Sequence, residues 1–323
     1  MKKNEYIEVK NSSNQLSLYG YNFYFDLFIK LFNEIKVPNI ILLNGPKGIG
    51  KSTFVYHFIN YILSLNEDKK YNIIDYEINQ NNRSYNLICK KIHPNFFSLT
   101  ADTGKKDIKI SEVRDLLKFL HKSSYLLNKK YILIDSVDNL NIFSSNALLK
   151  TLEEPPKNVF FFIINDSKKK ILPTIKSRAH EFKVNFSTKD KKNIFAQIIK
   201  DYNINLDPSD TMQNFYFDTP GNLLKYSLLL STSNVNFNKN IYDSIFYFIA
   251  IYKKEKNVEI LDFILLFIEI FYNKLCLNNN KNLNRYFYNK SKISYLFNDL
   301  KEFNLSESNI FLNIEDILKN EIR

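Results

Sequence analysis

The chain has 323 residues, a formal charge of +11 and a pI near 9.2; 45% of it is hydrophobic and 15% aromatic, all Phe and Tyr. That apolar fraction excludes disorder throughout, and at roughly 150 residues per domain the length implies two or three compact units. Two cysteines, Cys89 and Cys276, exclude a four-cysteine zinc site and give no disulfide framework.

The basic excess is uneven: residues 1–234 hold 33 basic and 23 acidic side chains, residues 235–323 hold 12 and 11. Clustered Lys and Arg release counterions when they meet phosphate, so any contact with nucleic acid is expected on residues 1–234. Met1 to Lys10 lacks the apolar run of a signal peptide, and Phe263 to Tyr272 is too short and too charged for a bilayer span of about 20 residues. A cytoplasmic protein without membrane association is the expectation.

Apolar side chains at Phe25, Phe28, Ile29, Phe32 and Ile35 recur at helical spacing over residues 22–36, and Pro38 ends the pattern. Ile40 to Leu43 is a short continuous apolar run, as in a strand buried on both faces, and Gly45 closes it. Helical periodicity returns over residues 51–64, whereas residues 66–82 carry no clear assignment. A helix is predicted over Ser111 to Leu126, capped by Ser111, with Val113, Leu116, Leu117 and Leu120 on one face. Tyr131 to Ile134 reads as a second buried strand, Ser145 to Leu152 as a helix stopped by Pro155 and Pro156, and Val159 to Ile164 as a third strand. Beyond residue 185 helices take over, first Asp190 to Tyr202 and then long apolar segments from Ile241, with the polar stretch Ser231 to Asn240 as a linker. Alternating helices and apolar strands imply a parallel sheet covered on both faces, with a ligand at the carboxyl ends of its strands.

Gly45 to Thr53, GPKGIGKST, matches the phosphate-binding P-loop in full and falls between a strand and a helix. Gly45, Gly48 and Gly50 would let backbone N–H groups turn around phosphate oxygens at the positive end of the following helix, with Pro46, Lys47 and Ile49 completing the loop. Lys51 would reach the β- and γ-phosphates, and the Ser52 hydroxyl, followed by Thr53, would ligate Mg²⁺ with the nucleotide. Asp135, after the strand YILI, stands where P-loop proteins hold Mg²⁺. Motor ATPases of this fold generally place Glu next, to deprotonate the attacking water, and this chain has Ser136, whose hydroxyl is a poor general base. Asp138 is the one nearby carboxylate that could compensate. Binding of ATP or ADP with Mg²⁺ and little hydrolysis is the state these residues predict.

Taken with the P-loop, the segments IDSVDNLN (Ile134 to Asn141), NALLKTLEEPP (Asn146 to Pro156) and ILPTIKSRA (Ile171 to Ala179) resemble bacterial clamp-loader subunits of the gamma and delta-prime type, in the same order. HPNFF, His93 to Phe97, is similar to the segment that precedes that family's second strand. The resemblance implies an α/β P-loop AAA+ domain, a parallel sheet flanked by helices, over residues 1–184, a small helical lid over residues 185–234 and an all-α C-terminal collar domain over residues 235–323. It implies that Arg178, following Ser177, is an arginine finger acting in trans on a neighbouring subunit's ATP, and that Asn165 senses the γ-phosphate. Ala179 replaces the family's cysteine, and Gly221, in DTPGNLLK, stands where motor subunits carry a sensor arginine. The zinc-ligating cysteines of many members are missing.

Ser136 and Gly221 together point to the delta-prime type, a stator-like member of a hetero-oligomer. Its partners would be the gamma/tau and delta clamp-loader subunits, the sliding clamp through the complex, and primer-template DNA. Two other readings stand beside it: an active gamma/tau-type motor, and an unrelated P-loop kinase that would leave KSRA and LEEPP without a role. No paired acidic residues resemble a two-metal polymerase site, so DNA polymerase activity would belong to the holoenzyme and not to this chain.

Overall fold

The computed structural model describes residues 9–100, 108–122, 129–140, 142–204, 218–232, 241–278, 282–303 and 307–322. Strands β1 (Ile40–Gly45), β2 (Phe96–Thr100), β3 (Lys130–Asp135), β4 (Val159–Asp166) and β5 (His180–Lys183) form one parallel sheet in the order β2-β3-β4-β1-β5. The inner strands β1, β3 and β4 read as nearly unbroken apolar runs because helices cover both of their faces.

One face is aromatic. Helices α1 (Asn22–Asn33) and α2 (Lys51–Leu63) bury Phe25, Phe28, Phe54 and Phe58, and Phe28 meets Phe182 of β5 at 5.0 Å and Phe58 meets Phe162 of β4 at 6.0 Å between ring centroids. Tilted and edge-to-face contacts of this kind add to the area such large rings remove from water. The other face is aliphatic. Val113 and Leu116 of α4 (Ile110–His121), Leu148 and Leu152 of α5 (Ile142–Glu153) and Ile175 of the single-turn α6 (Pro173–Lys176) share a core with Leu42, Ile132, Phe161 and Ile163.

The three strands expected from periodicity are present as β1, β3 and β4, and β2, β5 and α3 are added to them. β5 was not legible, since in HEFK only Phe182 is a large apolar residue. The short helix α3 (Arg83–Cys89) follows the unassigned stretch and is capped by Asn82, whose side chain accepts from the Tyr85 N–H at 2.8 Å. Ser111 does not cap α4. That helix starts one residue earlier, and the Lys109 N–H donates to the Glu112 carboxylate at 2.7 Å. The expected extension of α4 to Leu126 falls partly on residues 123–128, outside the described residues.

Helix α7 (Thr188–Asp201) begins at a reciprocal cap, in which Ser187 Oγ accepts from the Asp190 N–H at 3.1 Å and Asp190 reaches back to Ser187. Helix α8 (Pro220–Thr232) has Pro220 in its first position, where a missing N–H costs nothing. The chain divides into two compact units, residues 1–228 and 229–323. The lid expected at residues 185–234 is not separated as a unit of its own. Ser231 and Thr232, expected as linker, end α8, and the remainder of that linker lies outside the described residues.

The second unit contains α9 (Ile241–Glu255), α10 (Val258–Asn278), α11 (Leu283–Phe303) and α12 (Glu307–Ile322). Phe248 of α9 packs edge-on to Phe263 of α10 at 4.7 Å, and Phe297 of α11 to Phe311 of α12 at 6.2 Å. Lys256 pairs with Glu307, and Arg285 with Glu321 at 3.3 Å. No helix among the described residues is long and apolar enough to cross a membrane.

His57 ties the segment before α1 to the first unit's core. The ring is fully buried in α2, its Nε2 lies 3.0 Å from the Gln15 carbonyl, and its Nδ1 lies 2.9 Å from the Tyr71 hydroxyl. A carbonyl only accepts, so Nε2 carries the proton and Nδ1 accepts from Tyr71. Burial holds this imidazole down at about 3. Because the folded value lies below the unfolded value of about 6.5, the contribution is whole above that pH and is lost as pH falls toward 3. Denaturant unfolding at about pH 7 and about pH 4.5 is expected to show a larger acid loss for wild type than for His57→Gln.

Candidate nucleotide site

The carboxyl edge of the sheet brings the ends of β1, β3 and β4 together around a cavity of about 460 Å³. Lys47 to Thr53 and Asp135 line it, as the motif predicts. Gly45 and Pro46 do not face the cavity; their carbonyls accept from Lys51 Nζ at 2.6 and 2.8 Å. The loop runs directly into α2, so that helix's first N–H groups point into the cavity.

Lys51 is buried, and burial pushes its amine down to about 8 against the opposing pull of Asp166, Asp135 and Asp138. Ser52 Oγ lies 2.8 Å from Asp135 Oδ2 and 3.0 Å from Ser12 Oγ. Burial raises the Asp135 carboxyl, with the Ser52 hydrogen bond and Lys51 working the other way. A hydroxyl beside a buried carboxylate is an all-oxygen donor pair, so Ser52 and Asp135 would hold Mg²⁺ delivered with a nucleotide phosphate. Ser136 has a left-handed backbone, φ +64°, which a non-glycine residue adopts at a cost, and its hydroxyl lies 3.5 Å from Asp135 Oδ1.

Asp138 lies in a 3₁₀ turn, Val137–Asn139, and lines the cavity. Its carboxylate is almost wholly buried, pairs with Lys169 through Oδ2, and leaves Oδ1 without a hydrogen-bond partner among the described residues. Asp166 lines the cavity from the tip of β4, whereas Asn165 beside it does not and is engaged by Asn44 on the other face of the sheet. The family resemblance pointed to Asn165 at that tip, but which face a strand residue meets is decided by the register of its neighbours.

Helix α8 closes the cavity from the far side. Thr219 Oγ1 donates to the Lys47 carbonyl at 2.8 Å, and the Gly221 N–H donates to the Gly48 carbonyl at 2.9 Å. A Cβ on Gly221 would stand 2.6 Å from Gly48 O, and one on Gly48, at φ +80°, would stand 2.5 Å from Thr219 Oγ1. No side chain fits at 221 while this contact holds. The side chains that α8 turns to the cavity are Pro220 and, one turn later, Leu224 and Lys225. Their contribution, like that of Ser12, Asp166 and Lys169, is not encoded in the P-loop motif.

Arg178 does not line this cavity. It follows α6 with Nη1 donating to the Thr174 carbonyl at 2.6 Å and Nη2 to Glu153 Oε1 at 2.8 Å, and its side chain is about one-third exposed. Glu153 belongs to the LEEPP segment, so the two segments that carried the sequence resemblance meet in this ion pair.

The family model described as DNA polymerase III, delta subunit, matches residues 22–188, just over half of the chain. The chain belongs to that family. It is 32% identical over 152 residues to the DNA polymerase III subunit delta' of Pseudomonas aeruginosa, covering 47% of this chain and 44% of that protein. It is 30% identical over 216 residues to the DNA polymerase III subunit gamma of Buchnera aphidicola subsp. Schizaphis graminum, covering 64% and 56%. The matched region therefore spans about half the length of these curated relatives. A solved DNA polymerase III gamma subunit-related protein from Thermotoga maritima covers 91% of this chain and 99% of its own at 17% identity, with a TM-score of 0.45, too low to add to the assignment. Membership of this family leaves the unrelated kinase reading without support.

Two outcomes check the site. Gly221→Ala is expected to break the hydrogen bond to Gly48 and to lower stability by about 1–3 kcal/mol in denaturant unfolding. Nucleotide phosphate raises the amine of Lys51, so binding takes up a proton and weakens as pH climbs through about 8. Titration with a fluorescent ATP analogue at about pH 7 and about pH 9.5 is expected to give roughly tenfold weaker binding at the higher pH, with Lys51→Met binding weakly and almost without pH dependence.

Proposed function

We propose that this chain is the delta-prime-type subunit of a DNA polymerase III clamp loader: it holds ATP or ADP with Mg²⁺, turns it over slowly or not at all, and offers Arg178 to the nucleotide of a neighbouring subunit during sliding-clamp loading. The observation that carries this reading is the division of the machinery. The P-loop, Ser52 and Asp135 converge on the chain's own cavity, the base position is filled by Ser136, and Arg178 stands outside that cavity with a guanidinium partly open to solvent. A cation placed on the transferred phosphoryl in trans is worth about 10³ to 10⁵ in rate in the GTPase cases. Within the proposal Lys51 neutralises the β- and γ-phosphates, the N-terminus of α2 binds phosphate oxygens, and Ser52 and Asp135 hold the metal. When bound, Mg²⁺ supplies charge neutralisation at the phosphates. Gamma/tau and delta subunits, the clamp and primer-template DNA are the partners it assigns, with DNA contacts on the basic residues 1–234.

A gamma/tau-type motor is the second reading. The relation to gamma subunits and the unpartnered, buried Oδ1 of Asp138 at the cavity wall favour it, since a carboxylate there would take the place of the missing glutamate. ATP turnover by the assembled clamp loader separates the two. The stator reading expects the isolated chain to be inactive, Arg178→Ala to slow the complex at least about tenfold, and Lys51→Ala to leave it nearly unchanged. Turnover by the isolated chain, abolished by Lys51→Ala, would make the protein a motor.

A further inference from the structure

The last two residues of β4 face opposite ways: Asp166 turns to the nucleotide cavity and Asn165 to the face that carries α6. Asn165 is 2% exposed, its Nδ2 donates to Asn44 Oδ1 at 3.1 Å and to the Asp166 carbonyl at 3.0 Å, and its Oδ1 has no hydrogen-bond partner among the described residues. Asn44 is its direct neighbour in the β1–β4 register and immediately precedes the first P-loop glycine. Asn44 in turn donates Nδ2 to Glu181 Oε1 on β5 at 2.6 Å, and Glu181 Oε2 pairs with Lys176 Nζ at 3.6 Å. Lys176 is the last residue of α6, and the Arg178 N–H donates to the Ile175 carbonyl of the same turn at 3.2 Å. A continuous polar row thus runs from the tips of the two strands that flank the cavity to the turn that carries Arg178.

Asn44 and Asn165 share the sheet face of Leu42 and Ile163, where an unpaired amide group is costly, and the row ends in the ion pair of Glu181 with the half-exposed Lys176. The Asn44 hydrogen bond, with Lys176 and Lys183 nearby, holds the Glu181 carboxyl below its ordinary range, so the row carries a fixed negative charge opposite Lys176. Asn44 lies one residue before the P-loop, so a displacement of β1 or β4 at the cavity would reach Glu181 and Lys176 through Asn44. Ile175 packs in the same core, so α6 has little freedom to move independently.

We propose that Asn165 is a positioning residue for the Arg178 turn, acting through Asn44, Glu181 and Lys176, and is not a contact for nucleotide phosphate. The functional half rests on the reading of Arg178 as a finger in trans; the positioning half does not.

Two measurements test it. In the assembled clamp loader, Asn165→Ala and Glu181→Ala are expected to lower kcat about three- to tenfold with KM within about twofold. Glu181→Gln, which keeps an acceptor for Asn44 and loses the attraction for Lys176, is expected to fall between them and wild type. Adding either alanine variant to Arg178→Ala should slow turnover no further, because the row acts only through that arginine. In the isolated chain, amide hydrogen exchange of residues 173–178 should speed up in both alanine variants while α2 stays protected, and nucleotide affinity should change by less than about twofold. Unchanged exchange at residues 173–178, additive loss with Arg178→Ala, or an approximately tenfold weaker nucleotide affinity in Asn165→Ala would each overturn the proposal. If Arg178→Ala is itself silent in the complex, the finger reading falls, and the exchange measurement still decides whether the row positions α6.

Discussion

A loop that turns its N–H groups inward around a phosphate must turn carbonyls outward, and each of those, once buried, needs a donor. In this protein the outward carbonyls of Lys47 and Gly48 are met by Thr219 and by the Gly221 N–H at the start of α8, and those of Gly45 and Pro46 by Lys51. The rest of the site depends on that exchange. It brings α8 against a segment more than 170 positions earlier in the chain, excludes a side chain at 221, and leaves Pro220, Leu224 and Lys225 as the helix's contribution to the cavity.

Charge explains the remainder of the cavity's design. Lys51 and Lys169 stand among Asp135, Asp138 and Asp166, a balance that by itself disfavours a polyphosphate and favours one delivered with a divalent cation. Burial works against the charges of Lys51 and Asp135, which is why the lysine amine is pushed down and the Asp135 carboxyl up.

The same sheet separates two tasks by face. The α2 face holds the phosphate loop against a stack of Phe and Tyr rings, and the α5–α6 face holds Arg178 and its partner Glu153 over an aliphatic core. Strand alternation makes the division: Asp166 serves one side and Asn165 the other, one residue apart.

The sequence by itself determined the parallel α/β architecture, the phosphate loop, Ser52 with Asp135, the poor base at Ser136 and the helical character of the C-terminal residues. These are local: apolar runs bounded by Gly and Pro, and a motif whose glycines have meaning only between a strand and a helix. Tertiary structure alone decided what depends on register and on contacts distant in sequence. HEFK became a strand because β1 offered a free edge, Asn165 and Asp166 were assigned to opposite faces by their pairing with β1, and Ser12, Lys169 and Lys225 joined the cavity from segments with no motif of their own. Periodicity reports that a strand has two faces; only its neighbours fix which face meets the ligand.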